Sequence, residues 1–387
     1  MNKKYLITLL LIAFAGLAFY LKNNSNNTSL EFQAKKVLSK CSLQKDRNLC
    51  YEKEIPKLMD FLTMEQAFEV TSVVQSNDPK FSYCHVLGHN LASRETQKNP
   101  DEWKSVAARC PAGVCSNGCV HGAFQEKFRD EVLSDEKLEK VKTDLRDVCE
   151  KRDGFNPSDL EQSSCYHALG HLFMYITGGE IKKSMTLCDE LAQKEDGRDF
   201  RGVCFDGAFM QIFQPLDTDD QALVYGKVPE KENVQEYCFK FIGEKRNSCW
   251  TESWPMFVDE IGKAGGLLDF CSKLDKGGME ECVTGTLYLM PVLFEFNEDS
   301  LKTFCNNFED TNRCFSVVAT RYLEIDYKNK EKAIEFCASI SDEEGKIKCQ
   351  KELIDYAQFV FHPSSSELND FCRLVIVDLK ESCLSNE

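Results

Sequence analysis

The chain has 387 residues, a net charge of −16 at pH 7 and a hydrophobic fraction of 42%. This length exceeds that of one ordinary hydrophobic core, so two or three domains or one elongated array are expected. The acidic balance excludes a nucleic-acid-binding protein, which needs a basic surface, and the hydrophobic fraction excludes a largely disordered chain.

The N-terminal segment, residues 1–22, is predicted to be a signal-anchor transmembrane helix. Two lysines precede an apolar run from Tyr5 to Leu21, a pattern typical of an export signal whose lysines stay in the cytoplasm. The run is just long enough to span a bilayer, so we predict an uncleaved anchor that ties the protein to the membrane. The protein would be secreted if this segment were cleaved. The polar residues 23–30 are predicted to form a flexible tether.

The chain contains 20 cysteines. In an exported protein, this number indicates disulfide bonds and places the bulk of the chain in the periplasm or outside the cell. The alternative is a cytosolic zinc protein, but the repeated C-x-x-C knuckles typical of that class are missing from the sequence.

Cysteines recur at a regular period in the second half of the chain. Those at positions 238, 271, 305, 337 and 372 are 32 to 35 residues apart, which is the length of one helical hairpin. Each is followed by a polar stretch and then by a second cysteine that begins an apolar segment with helical spacing. We therefore predict an all-α fold of disulfide-stapled α-hairpin repeats that form a solenoid or a toroid.

This pattern predicts nine local disulfides, because adjacent antiparallel helices bring their ends within the roughly 7 Å that a bridge allows between Cα atoms. The predicted pairs are Cys41–Cys50, Cys110–Cys119, Cys149–Cys165, Cys188–Cys204, Cys238–Cys249, Cys271–Cys282, Cys305–Cys314, Cys337–Cys349 and Cys372–Cys383. Cys84 and Cys115 remain, and they are paired with each other by elimination.

The repeats divide into two predicted domains. Residues 31–219 contain duplicated histidine motifs, whereas residues 220–387 contain stapled repeats with a single histidine, His362, next to a proline in a loop. We interpret the second domain as a scaffold or a partner-binding surface. Its aromatic stretch from Trp250 to Phe257 is predicted to belong to the core.

The repeat layout from Cys149 to Cys383 resembles that of the cysteine-rich Sel1-like repeat proteins, relatives of the tetratricopeptide repeat, which also bridge neighbouring helices once per repeat. Gly285-Thr286-Leu287-Tyr288 is the fragment most similar to the Sel1 signature. The resemblance implies an α-solenoid of a kind that often binds partner proteins.

Five of the six histidines lie within a few residues after a cysteine, in a duplicated pattern. H-x-L-G-H occurs at His85–His89 and again at His167–His171. H-G-A-F follows the first copy at His121, and D-G-A-F follows the second copy at Asp206. The order indicates an internal duplication of a unit of two hairpins, over roughly residues 80–130 and 160–215.

This duplication predicts a metal site. Histidines four residues apart lie on one face of a helix, where both imidazoles can reach one ion. Gly88 and Gly170, between the histidines, let another helix approach closely. Neutral imidazoles with one carboxylate suit Zn, Cu or Fe. The predicted ligands are His85, His89, His121, His167, His171 and Asp206.

Other interpretations remain open. Duplication would also copy histidines that only hydrogen-bond at tight helix contacts, and the protein would then be a non-catalytic scaffold for an extracytoplasmic protein partner. Haem ligation is a minor alternative, because the haem-attachment motif is missing. No zinc-protease, serine-hydrolase or nucleotide-binding motif occurs in the sequence, so whether the protein is an enzyme stays undecided. Glu126 and Asp206 are the candidate acid–base groups if it is one.

Overall fold

The computed structural model describes residues 30–385 except 79, 82, 129–131, 153, 216–217 and 363–365. The predicted anchor, and all of the predicted tether but Leu30, lie outside these residues. Among the helices that the structure describes, none combines the length and the apolar character that crossing a bilayer requires. The chain divides into two compact units, Met1–Ser82 and Tyr83–Glu387.

The described part of the first unit is a small set of helices stapled by the Cys41–Cys50 disulfide. It comprises α1 (residues 30–41), α2 (Arg47–Glu54), a 3-10 turn (Pro56–Asp60) and α3 (Met64–Asn77). Thr63 begins α3 with a capping box, in which its side chain and that of Gln66 satisfy each other's backbone N–H groups. The Tyr51 hydroxyl donates a hydrogen bond of 2.8 Å to Asp78 Oδ2.

The second unit contains the remaining helices. In chain order they are α4 (His85–Lys98), α5 (Trp103–Ala108), α6 (Gly118–Phe128), α7 (Asp135–Arg146), α8 (Asp159–Ile176), α9 (Ile181–Leu191), α10 (Arg201–Phe213), α11 (Thr218–Leu223), α12 (Val234–Cys238), α13 (Glu244–Glu252), α14 (Val258–Ile261), α15 (Ala264–Cys271), α16 (Lys276–Leu293), α17 (Glu298–Asn306), α18 (Thr311–Ile325), α19 (Lys330–Ala338), α20 (Glu343–Val360), α21 (Glu367–Cys372) and α22 (Lys380–Ser385). The described residues form no β-strand, only two isolated bridges, so the all-α prediction is confirmed.

All ten predicted disulfides are present, and together they use all 20 cysteines. Nine join cysteines 9 to 16 residues apart, with Cα–Cα distances of 5.3–5.8 Å. The tenth, Cys84–Cys115, spans 31 residues and was predicted by elimination. The staples hold each hairpin closed independently of the packing between hairpins.

Eight helices of the second unit pack in series, each against the next. In order of contact these are α4, α6, α8, α10, α13, α16, α18 and α20. The first of them, α4, directly follows Cys84, and each of the others begins a few residues before the second cysteine of its disulfide, as the sequence pattern predicts. The last of them, α20, also contacts α8. The predicted domain boundary after residue 219 falls inside this unit.

The core of the second unit is aromatic. Phe124, Phe173, Phe209 and Phe315 are fully buried. The stretch from Trp250 to Phe257 was predicted to belong to the core. Trp250 is buried, and its indole N–H donates a 2.9 Å hydrogen bond to the carbonyl oxygen of Phe270, whereas residues 254–257 are only partly buried. A core built this way fixes the orientation of the helices that carry the histidines.

Candidate metal centre

Glycines bring the histidine helices into backbone contact. A Cβ atom at Gly118 would lie 2.2 Å from the carbonyl oxygen of His85, and one at Gly122 would lie 2.2 Å from that of His89. In the second copy, a Cβ at Gly170 would lie 2.1 Å from the Cys204 carbonyl oxygen. The prediction that glycines permit a close helix approach is confirmed, and this approach is what gathers the imidazoles.

We expect Gly207→Ala to lower the free energy of unfolding by about 1–3 kcal/mol, because the new Cβ would lie 2.0 Å from the carbonyl oxygen of His167 and force α8 and α10 apart. Gly202→Ala is the matched control on the same helix, since no atom of another helix lies within 4 Å of its Cβ position. Chemical denaturation of both variants tests the expectation. Equal stability of the two variants would contradict it.

Three histidines from two helices form one group. His85 and His89 lie on α4, and His121 lies on α6; a ligating nitrogen of each falls within 4.8 Å of the others. The ring centroids are 4.7 Å apart for His85 and His89, and each is 5.0 Å from that of His121. All three side chains are buried. The structure thus brings three of the six predicted ligands together.

The hydrogen bonds of His85 and His89 fix which nitrogens carry protons. His85 Nδ1 lies 3.1 Å from the carbonyl oxygen of Ser116, which can only accept, so this Nδ1 carries the proton. His89 Nδ1 lies 2.9 Å from Gln125 Oε1, another acceptor. The two Nε2 atoms are therefore unprotonated in the neutral rings, and they face each other at 3.1 Å.

His167 and His171 on α8 repeat this arrangement. Their Nε2 atoms are 3.2 Å apart, and His171 Nδ1 lies 2.7 Å from Gln211 Oε1. The backbone of Val203 accepts a hydrogen bond from the His167 ring. The second copy of the motif thus preserves the facing nitrogens.

His121 stands between the two pairs. Its ring centroid is 5.4 Å from that of His167 and 5.3 Å from that of His171. Its Nδ1 is buried and has no hydrogen-bond partner among the residues that the structure describes. A buried polar atom without a partner is costly, so a group that satisfies this nitrogen would stabilise the site.

Burial keeps these imidazoles neutral. Desolvation is the largest cause that lowers the pKa of His85 to about 4. Desolvation, together with the neighbouring histidines, lowers the pKa of His89, His121 and His167 well below the ordinary value. The pKa of His171 is also lowered by desolvation. Neutral imidazole is the form that ligates a metal ion.

The predicted carboxylates lie elsewhere. Asp206 is not part of the group of three histidines, and burial raises its pKa to about 6. Burial, and then the charge of Asp206, raises the pKa of Glu252 well above its ordinary value. Glu126 accepts a 3.0 Å hydrogen bond from the Ser93 hydroxyl. The assignment of Asp206 as a ligand therefore stays a prediction without a contact to support it.

Sequence reasoning missed the residues that orient the histidines. Gln125 and Gln211 occupy different places in the aligned motifs, since Gln125 matches Met210 and Gln211 matches Glu126. Gln125 follows His121 by four residues, a spacing that places both on one face of α6. This spacing could have identified Gln125 from the sequence. Ser116 contributes only its backbone, which no sequence pattern identifies.

No family model, no curated protein and no solved structure matches the chain.

Proposed function

We propose that this protein is a membrane-anchored, extracytoplasmic helical-repeat protein that binds a transition metal ion through His85, His89 and His121. The observation that carries the proposal is the 3.1 Å separation of the His85 and His89 Nε2 atoms, with both Nδ1 atoms facing oxygen acceptors. Two unprotonated nitrogens at this distance repel each other unless a cation lies near both.

The separation suits shared ligation. Two nitrogens at about 2.0–2.1 Å from a tetrahedral zinc ion are about 3.3 Å apart. The bonds from Nδ1 to oxygen acceptors are the outer contacts that metal-ligating histidines make, and they raise the basicity of Nε2. A proton is a poor substitute for the metal here, because burial lowers the pKa of both rings.

Three neutral imidazoles favour Zn, Cu or Fe, and thiolates are excluded as ligands because every cysteine is in a disulfide. His167 and His171 support a wider site, since their Nε2 atoms also face each other next to His121. The reaction, if the site is catalytic, is left unassigned.

Ten disulfides support an oxidising compartment outside the cytoplasm. The two lysines and the apolar run at the N-terminus support the anchor. The contact of α20 with α8 favours a closed ring over an open solenoid for the repeats of the second unit.

One observation favours the non-catalytic scaffold instead. Gln211 Nε2 is buried and has no partner among the described residues. With its amide reversed, this group would donate to His171 Nδ1, and His171 Nε2–H would then donate to His167. Protons alone would satisfy that pair, and the duplicated histidines would be structural.

Elemental analysis of the full-length protein, after exposure to Zn, Cu or Fe salts and gel filtration, separates the two functions. We expect at least one equivalent of a single metal, and less than one tenth of it in the His121→Ala variant. Wild-type protein that stays metal-free with all three ions would overturn the proposal and leave the scaffold function.

A further inference from the structure

His121 is shared by two similar triangles of imidazole rings. The first triangle consists of His121, His85 and His89, whose ring centroids are 4.7–5.0 Å apart. The second consists of His121, His167 and His171, whose centroids are 5.0–5.4 Å apart. Two imidazoles on one tetrahedral zinc ion, with nitrogens about 2.0–2.1 Å from it, have centroids about 5.2 Å apart. Both triangles therefore have the size of a three-histidine metal site.

The nitrogen atoms divide the five rings between two positions. Ligating nitrogens of the first triangle lie within 4.8 Å of one another, and neither His167 nor His171 belongs to that group. The Nε2 atoms of these two histidines face each other at 3.2 Å, so they leave a separate position for a cation. Each ring of this pair also has an oxygen acceptor, as in the first pair: Gln211 Oε1 for His171 and the backbone of Val203 for His167.

His121 differs from the other four histidines in its hydrogen bonds. Each of the other four has a protein oxygen as a partner, which is the outer contact that a histidine bound to one ion makes through its second nitrogen. His121 has no hydrogen-bond partner among the described residues, although its ring is only 3% exposed and its Nδ1 is buried. An imidazole that keeps both nitrogens unpartnered has the two donor atoms that a bridge between metal ions needs.

We propose that the five histidines hold two metal ions, with His121 as an imidazolate bridge between them. His85 and His89 complete the first site, and His167 and His171 complete the second. This inference rests on the metal-binding function proposed above and extends it to a second ion. Each ion has three imidazole nitrogens and keeps a position for water or another outside ligand, which is the arrangement of catalytic zinc sites.

The bridge requires that His121 lose a proton. A neutral imidazole carries one proton, and it binds the first ion through its other nitrogen. When the second ion binds, the proton leaves for water and a bond from nitrogen to metal replaces the N–H bond. The other four histidines bind through unprotonated Nε2 atoms and release no proton.

The two ions are expected to bind with unequal affinity. The second triangle is the wider one, and the compact group of nitrogens is that of the first triangle. The second ion must therefore draw His167 and His171 toward His121, which weakens its binding. His167 is also the one partly exposed ring of the five, so the second site is the one nearer to solvent.

Titration of the metal-free, full-length protein with zinc and with Cu(II), followed by elemental analysis after gel filtration, counts the ions. We expect two equivalents per chain, and release of about one proton with the second equivalent but none with the first. With Cu(II), the electron paramagnetic resonance signal of the first equivalent should lose most of its intensity as the second binds, because an imidazolate bridge couples the unpaired electrons antiferromagnetically. Two equivalents that keep full signal intensity, or that release no proton, would overturn the bridge.

Variants assign the two ions to their ligands. His171→Ala removes a ligand of the second site alone, so it should bind one equivalent of Cu(II) with an undiminished signal. His362→Ala is the matched control, because His362 lies outside the group of three histidines, and it should bind two equivalents. The wild-type titration guards against a loss of fold in His171→Ala, since it needs no substitution.

The stoichiometry separates this inference from the function on which it rests. One equivalent in the wild type, unchanged in His171→Ala, would overturn the second ion and leave the metal-binding function standing. That result would match a second pair whose nitrogens are satisfied by a proton, with the Gln211 amide reversed. Wild-type protein that retains neither zinc nor Cu(II) would contradict the metal-binding function itself.

Discussion

Metal affinity is expected to fall by more than about 100-fold when His89 is replaced by alanine, because loss of an outer contact alone costs up to that factor and His89 supplies a ligating nitrogen. His89 is also the residue whose Nε2 faces that of His85 at 3.1 Å. Titration with zinc against a competing chelator measures the change.

His362→Ala is the control for this experiment, because His362 lies outside the group of three histidines and should keep wild-type affinity. Helix content should stay unchanged in both variants, since the disulfides hold the hairpins. Equal zinc affinity of the His89→Ala variant and the wild type would show that the cluster does not ligate metal.

The free energy of unfolding of the metal-free protein is expected to fall as the pH is lowered from 7 to 4. The pKa of His85 is lowered to about 4 in the folded chain by burial, whereas an unfolded histidine titrates near 6.5. Between these values the unfolded state binds more protons, so acid favours unfolding. The contribution is present above pH 6.5 and is lost toward pH 4, by about 1.4 kcal/mol per pH unit for each such histidine.

Asp206 contributes to the pH dependence of the free energy of unfolding with the opposite sign, because burial raises its pKa to about 6 in the folded state. The comparison that isolates the histidine effect is therefore between the wild type and His85→Gln, by urea unfolding at pH 7, 6, 5 and 4. We expect the pH slope of the variant to be smaller by about 1.4 kcal/mol per unit. Identical slopes would mean that His85 is not held neutral by the fold.

The lowered pKa values also affect metal binding. An ordinary histidine site would lose its ion below pH 6, where imidazole becomes protonated. The buried rings of this cluster stay neutral to a lower pH, so zinc should remain bound at pH 5.5. The cluster therefore differs from a surface site of the same composition.

The architecture was predictable because disulfides are recorded in the sequence as spacings. Because one cysteine ends a helix and the next cysteine begins the following helix, each has few other possible partners. Cys84–Cys115 then followed by elimination. The histidine motif was readable for a similar reason, since H-x-L-G-H combines a helical face with a glycine at a crossing. In both cases the residues that form the signal lie close to one another along the chain.

The rest of the site depends on contacts between distant segments. Arg321 and Glu324 lie on α18, in the region that was interpreted as scaffold. α18 contacts the turn at Cys115–Asn117, and the guanidinium carbon of Arg321 lies 5.9 Å from the ring centroid of Tyr83, which stacks on His85. The i, i+3 spacing of Arg321 and Glu324 on α18 is that of an ordinary surface ion pair, although both side chains are buried. Burial of such a pair is decided by tertiary packing, which local sequence does not encode.

X-ray absorption spectroscopy of the zinc-loaded, full-length protein tests the central claim most directly. The metal-binding account predicts at least three imidazole nitrogens at about 2.0–2.1 Å from the zinc, with no sulfur neighbour. Protein that retains no zinc, or zinc whose spectrum contains sulfur or fewer than three imidazoles, would contradict it.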